Sequence, residues 1–232
     1  MTAVEQQTHF RTALFDFLRD LRANNNRAWF ETNRARYEAD VRDALVGFVA
    51  EFAPYLYAIS PCFVADPRPV GGSIFRIHRD VRFSRDKTPY KTNAGAHFRH
   101  SVGRDVHAPG FYLHLEPGEV FAACGIWHPD PTTQTRIRDA IVARAADWRR
   151  ITSDLALRHG LAVEGEQLAR PPRGYDPRHR LIDDLRRKDF VVSTRFAEAE
   201  ACKPDFLERF ATTCRNAAPF VRFLTEAVGL PW

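Results

Sequence analysis

The stretch from Arg76 to Lys91 reads Arg-Ile-His-Arg-Asp-Val-Arg-Phe-Ser-Arg-Asp-Lys-Thr-Pro-Tyr-Lys. It holds six basic residues and two acids, a local charge of +4, against +5 for the whole 232-residue chain. Alternate side chains of a strand lie about 6.6 Å apart on one face. A strand here places Arg76, His78, Asp80 and Arg82 in a row whose long side chains converge on one anion. Arginine suits phosphate or carboxylate because its planar fork donates two parallel hydrogen bonds. Arg79, Lys87 and Lys91 add charge, and Ser84, Thr88 and Tyr90 add hydroxyls. Asp80 and Asp86 can orient these bases or act as acid and base. The bland alternative is a solvated face, whose ion pairs are each worth under about 1 kcal/mol.

A second set of candidates lies on a hairpin. Phe111–Glu116 and Glu119–Ile126 flank Pro117-Gly118, the pattern of two antiparallel strands joined by a tight turn. If Glu116 faces Glu119, then His114 faces Phe121 and Tyr112 faces Ala123. The face carrying Tyr112, His114 and Glu116 suits acid–base chemistry if it lies beside the basic row. The run Ala122-Ala123-Cys124-Gly125 leaves room for a packed helix or a ligand. Tyr112 and Trp127, with Tyr90, are candidate walls of the ligand site.

Several chemistries are excluded or disfavoured. Six histidines (His78, His97, His100, His107, His114 and His128) fall in the middle of the chain. They show neither H-E-x-x-H nor paired Cys/His spacing, so no metal site is predicted. No Gly-rich phosphate loop, dinucleotide fingerprint or nucleophile elbow occurs, and no cofactor is predicted. A mild net charge excludes a histone-like polycation. Arginine outnumbers lysine 30 to 4, so arginine is the weaker signal, and two of the four lysines are Lys87 and Lys91. Cys62, Cys124, Cys202 and Cys214 form no C-x-x-C pair and read as reduced thiols. The start, Met1 to His9, is polar and no apolar run approaches the ~20 residues of a membrane span. A cytoplasmic protein without membrane attachment is expected.

The elements that position these residues follow from periodicity. Phe10, Leu14, Phe17, Leu18 and Leu21 predict a helix over 9–23, ended by Asn24-Asn25-Asn26, which also cap the next. Trp29 to Phe52 predicts a longer helix that Pro54 stops. From Cys62 to Trp127 the period is two. Ser73–Ser84 predicts a strand with Phe75, Ile77, Val81 and Phe83 inward, ending or bulging at Arg79; residues 84–92 follow as a loop, and Ala94, Ala96 and Phe98 predict another strand. Ile137, Ile141, Ala145 and Trp148 predict one helix; Ile151 and Leu155 predict a second, closed by Gly160. Leu161–Leu168 predicts a hairpin, Asp176–Arg187 a helix and Phe190–Thr194 a strand. The last helix starts at Pro204, with Pro219 kinking or splitting it. The fold class is α+β: a mainly antiparallel sheet from the middle third, covered by an N-terminal helical hairpin (about 9–53) and C-terminal helices (about 132–228). No composition shift marks a linker, so residues 1–232 read as one domain.

Two long motifs, Asn25-Asn26-Arg27-Ala28-Trp29-Phe30 and Arg76 to Lys91, closely resemble the signatures of the domain of unknown function 2461 family. Phe111-Tyr112, Glu116-Pro117-Gly118, Gly125 to Pro129, Pro172 to Tyr175 and Leu185 to Phe190 also match. The resemblance covers about residues 10 to 228. It implies one domain and supplies no substrate. Arg187 departs from it, standing where an apolar residue is expected.

The functional expectation is a basic cleft on 76–91 that binds an anionic, phosphorylated ligand. Three alternatives stand beside it. One is an enzyme on a phosphorylated or nucleotide substrate, with Asp80, Asp86 or His114 as acid–base groups. Another is a nucleic-acid-binding module, suggested by Arg82-Phe83, Tyr90-Lys91 and Phe98-Arg99. The last is an internal ion-pair network. A second basic stretch, Arg170 to Arg180 with Arg186-Arg187-Lys188, joins the cleft only if it folds over it.

Overall fold

A computed structural model describes residues 8–102 and 108–232; His107 lies outside them. The chain folds as α+β. Helices α1 (Thr12–Ala23), α2 (Arg27–Thr32), α3 (Arg34–Arg36) and α4 (Asp43–Ile59) come first, followed by strands β1 (Ala94–Arg99), β2 (Gly110–Glu116) and β3 (Glu119–Ile126). Then come α5 (Pro131–Ala143), α6 (Ala145–His159), β4 (Val163–Glu164), α7 (Ile182–Leu185), β5 (Phe190–Phe196), α8 (Glu198–Ala201) and α9 (Phe206–Ala227). The sheet is antiparallel, in the order β1-β2-β3-β5-β4. None of the described helices is long and apolar enough to cross a membrane.

Helix α1 buries its apolar stripe, Leu14, Phe17, Leu18 and Leu21. The Asn24 N–H donates to the Asp20 carbonyl at 3.0 Å, and Asn26 Oδ1 accepts from Trp29 N at 3.0 Å. The asparagine run thus ends one helix and caps the next. The long second helix is interrupted: it breaks at Asn33 and passes through a π-helical turn, Tyr37–Arg42. Pro54 does not stop α4, which runs on to Ile59. Proline removes one hydrogen bond, but Phe52 and Leu56 on either side of it are buried in the core, and that packing carries the helix through. Pro219 likewise lies inside an unbroken α9.

One face of the sheet is apolar. Phe98 of β1 packs on Phe52 of α4 at 4.6 Å between ring centroids and on Phe210 of α9 at 5.9 Å. Phe111, Leu113, Leu115, Val120, Ala122, Cys124 and Val192 are buried on the same side. The small residues of β3 serve both faces: Ala122 and Cys124 face the helices, while Ala123 pairs with Tyr112 on the other side. The β2–β3 register matches the expected pairs, Glu116 with Glu119, His114 with Phe121 and Tyr112 with Ala123. All four cysteines carry free thiols. Burial, then a hydrogen bond with Cys124, holds the Cys214 thiol well above its ordinary value.

The strand expected over Ser73–Ser84 does not form, because the chain changes partner midway. Ser73–Phe75 lies on the edge of β1, with Phe75 N donating to Gly95 O at 3.0 Å and His97 N to Ser73 O at 2.8 Å. Ile77–Arg79 instead pairs with Pro89–Lys91, through Lys91 N to Ile77 O at 2.8 Å and Arg79 N to Pro89 O at 2.9 Å. Between these two arms the chain loops over 80–88. Ile74 and Ile77 are the buried apolar residues of the segment, while Phe83 is 96% exposed at the loop. The row Arg76, His78, Asp80 and Arg82 therefore does not exist as a strand face.

Smaller corrections follow from local pairing. Residues 161–168 form no hairpin of their own, since β4 pairs with β5. Helix α7 spans only Ile182–Leu185. The first C-terminal helix ends at Ala143, so Ala145 and Trp148 belong to the second, which Gly160 closes at φ 66°. The last helix begins at Phe206, two residues after Pro204.

Candidate functional site

A cleft of about 340 Å³ opens between the α1–α2 junction and the ribbon made by 77–79 and 89–91. Arg79 and Lys91 line it from the ribbon, and Arg22 from the last turn of α1. Thr88, Thr92, Asn25 and Asn93 supply neutral hydrogen-bonding groups, and Asp86 is the one carboxylate of the lining. Three cations thus share the cleft with one anion.

The ribbon is anchored by Asn25. Its Nδ2 donates to Tyr90 O at 2.9 Å, and its Oδ1 accepts from Tyr90 N at 3.1 Å. The side-chain amide takes the place of a neighbouring strand. The Tyr90 ring stacks on Phe30 at 4.1 Å and is buried, so Tyr90 holds the cleft together from beneath. Arg79 binds the Asp86 carboxylate and the Thr88 hydroxyl. That guanidinium, then the Thr88 N–H, holds Asp86 down at about 2. The Lys91 ammonium lies 5.0 Å above the Phe75 ring. Burial, then the neighbouring Arg76 charge, lowers its affinity for a proton.

The other expected residues are sorted by their nearest partners. Arg82 forks onto Asp80, with Nη2–Oδ2 at 2.7 Å and Nε–Oδ1 at 3.0 Å, and its side chain is 77% exposed. Arg82 holds Asp80 at about 2. Carboxylates at about 2 stay ionised at neutral pH, which suits orienting a base better than exchanging protons. Lys87 Nζ donates to Val81 O at 2.9 Å, and Ser84 N donates to the same carbonyl at 3.4 Å. Asp80, Arg82, Ser84 and Lys87 therefore belong to the outer loop, and Arg76 is exposed beside Lys91. Trp127 lies beyond the far end of β3, 59% exposed and stacked on His128 at 4.0 Å. It does not line the cleft.

The hairpin face meets the cleft at Thr92 and Asn93. Thr92 Oγ1 donates to Glu116 Oε1 at 3.0 Å, and Arg22 Nη2 reaches the same oxygen at 2.6 Å. Glu116 Oε2 lies 3.2 Å from His114 Nε2, and His114 Nδ1 lies 2.9 Å from the Tyr112 hydroxyl. The imidazole stacks on Phe121 at 4.6 Å. Burial, then Glu116, pushes the Tyr112 phenol up, so it stays protonated. Tyr112 lies across Gly95, where an added Cβ would stand 3.0 Å from the hydroxyl; only glycine leaves that space.

Beside this row, burial and then Arg99 push His97 down to about 4. An unfolded histidine binds its proton near 6.5. The contribution of His97 is therefore complete above about 6.5 and is lost as the pH falls from there through about 4, by at most ~3 kcal/mol. Urea midpoints at pH 7.5 and 5 should draw together in His97→Gln; an unchanged gap would refute this assignment.

The second basic stretch stays apart. Tyr175 donates to Asp139 Oδ1 of α5 at 2.8 Å, and Lys188 pairs with Glu166 at 2.9 Å. None of the residues 170–188 lines the cleft. Arg187 is accommodated with its side chain mostly covered: it reaches Asp184 at 3.4 Å, and its carbonyl accepts from Arg138 Nη2 at 3.0 Å.

Sequence reasoning missed Arg22, Asn25, Thr92 and Asn93 as parts of the cleft. The signal for Asn25 was present: Asn24 and Asn26 account for the two helix ends, leaving the middle asparagine for another task. No curated protein matches the chain. A family model described as conserved hypothetical protein (DUF2461) matches residues 13–223. Nearly the whole fold, cleft included, lies within that match, and the chain belongs to the DUF2461 family.

Proposed function

We propose that the cleft binds a small anionic, phosphorylated ligand. Lys91 carries this reading. Its ammonium is partly buried, stands near the Arg76 charge, and pairs with none of the described carboxylates. An anion beside Lys91 relieves that repulsion and takes donors from Arg79 and Arg22 in the same cleft. The volume, about 340 Å³, is that of a small-molecule site rather than a polymer groove.

Thermal melts with inorganic phosphate, pyrophosphate, AMP and a short oligonucleotide test the proposal. At least one of the small phosphorylated compounds should raise the melting temperature. Lys91→Gln should weaken its binding at least tenfold, about 1.4 kcal/mol. Arg82→Ala, which removes an exposed pair outside the cleft, should leave affinity unchanged. A melting temperature insensitive to all four compounds overturns the proposal. Stabilisation by the oligonucleotide alone, falling steeply with salt, would move the function to nucleic-acid binding.

A further inference from the structure

We infer that His114, Glu116 and Glu119 form a binding site for one divalent cation of the Mn²⁺ or Zn²⁺ type at the edge of the cleft. One ligating atom from each of the three lies within 4.8 Å of the other two. Atoms about 2.0–2.2 Å from an ion stand roughly 3–4 Å apart, so modest rotation of two glutamate side chains completes the set. The spacing His-x-Glu-x-x-Glu belongs to no standard motif. The hairpin creates the site: His114 and Glu116 project from one face of β2, and the Pro117-Gly118 turn brings Glu119 opposite Glu116.

Two carboxylates facing each other across a ladder repel, and the structure surrounds them with outer partners. Glu116 Oε1 is held by Arg22 at 2.6 Å and Thr92 at 3.0 Å, leaving Oε2 toward the imidazole. The Nδ1 atom of His114 is held by the Tyr112 hydroxyl at 2.9 Å, which leaves Nε2 facing Glu116. Arg195 holds Glu119 Oε1 at 3.2 Å. For His114 and Glu116 the outer atom is fixed while the inner atoms face each other, which is how proteins orient metal ligands. One imidazole nitrogen with two carboxylates favours Mn²⁺ or Zn²⁺ over Mg²⁺, which prefers oxygen. Three protein ligands leave positions open, and Thr92, which touches Glu116, also lines the cleft. An oxygen of the bound anion can fill an open position; this role, but not the site itself, rests on the anion-binding reading.

The test uses the full chain, stripped with a chelator and titrated with MnCl₂ and, separately, ZnCl₂ by calorimetry. One ion per chain should bind. His114→Gln and Glu119→Gln should each weaken binding more than tenfold, and Tyr112→Phe, a positioning change, by 10- to 100-fold. Glu119 sits at an exposed turn, so its variant should keep the metal-free melting temperature and report on binding alone. No saturable binding of either ion by the unaltered chain overturns the inference, as does binding indifferent to both ligand substitutions. Phosphate titrations with and without the ion separate the two proposals. Phosphate binding with no ion site leaves the anion reading standing and removes this one. Ion binding without phosphate binding does the reverse.

Discussion

Asp189→Ala is expected to destabilise the fold by about 2–5 kcal/mol, because it removes a buried acceptor that serves two main-chain N–H groups and the His128 ring. Asp189 is 2% exposed. Its Oδ1 accepts from His128 N at 2.7 Å and from His128 Nδ1 at 2.8 Å, and its Oδ2 accepts from Glu166 N at 3.1 Å. His128 has φ 48°, a left-handed conformation that costs energy for a residue with a side chain. The carboxyl group holds that turn in place. Alanine leaves two main-chain N–H groups without an acceptor, each costing roughly 1–3 kcal/mol. Urea unfolding followed by circular dichroism measures the effect. A loss below about 1 kcal/mol would show that water or a shifted turn replaces the carboxyl group. The same contact explains why two motifs far apart in the chain, Gly125 to Pro129 and Leu185 to Phe190, are parts of one structure: His128 lies in the first and Asp189 in the second.

The second large effect is expected at Asn25, where stability and binding should fall together. Asn25→Ala removes both hydrogen bonds to the Tyr90 main chain. Each is worth about 1 kcal/mol net, with more lost if the freed groups stay dry, so a loss of about 2–3 kcal/mol is expected. Asn25→Asp is no rescue. It keeps the acceptor for Tyr90 N but sets a carboxylate oxygen against the Tyr90 carbonyl. Because Arg79 and Lys91 flank this anchor on the ribbon, either variant should also weaken phosphate binding at least tenfold. Unfolding curves with calorimetry at a temperature where the variants remain folded separate the two losses. Full binding in a destabilised Asn25→Ala protein would show that the ribbon keeps its shape without the anchor.

The hairpin was legible because a two-residue turn at Pro117-Gly118 fixes the register, and a slip of one residue would expose every apolar side chain. The asparagine run was legible as helix punctuation for an equally local reason. Pro54 was misread because a local rule met a global force: α4 is held by Phe48, Phe52 and Leu56 in the core, and one missing hydrogen bond does not outweigh them. The strand over Ser73–Ser84 was misread because alternation records what a residue could face and carries no information on its pairing partner. Here the partner changes from β1 to Pro89–Lys91 within five residues.

The concentration of charge between Arg76 and Lys91 is a property of the sequence, as are the α+β class and the row Tyr112, His114 and Glu116, since each follows from neighbours a few positions apart. Tertiary structure decided which of those charges act together. Arg82 finds Asp80 two residues away and Lys87 finds the Val81 carbonyl, so both stay on the outer loop. Arg79 and Lys91 turn into the cleft, where Arg22 joins them from a helix more than fifty positions earlier. Short-range ion pairs and hydrogen bonds form wherever the chain is flexible enough to close them. The cleft exists because the Asn25 amide and the Phe30 ring clamp Tyr90 from across the fold. Contacts at that separation arise only when the core has packed.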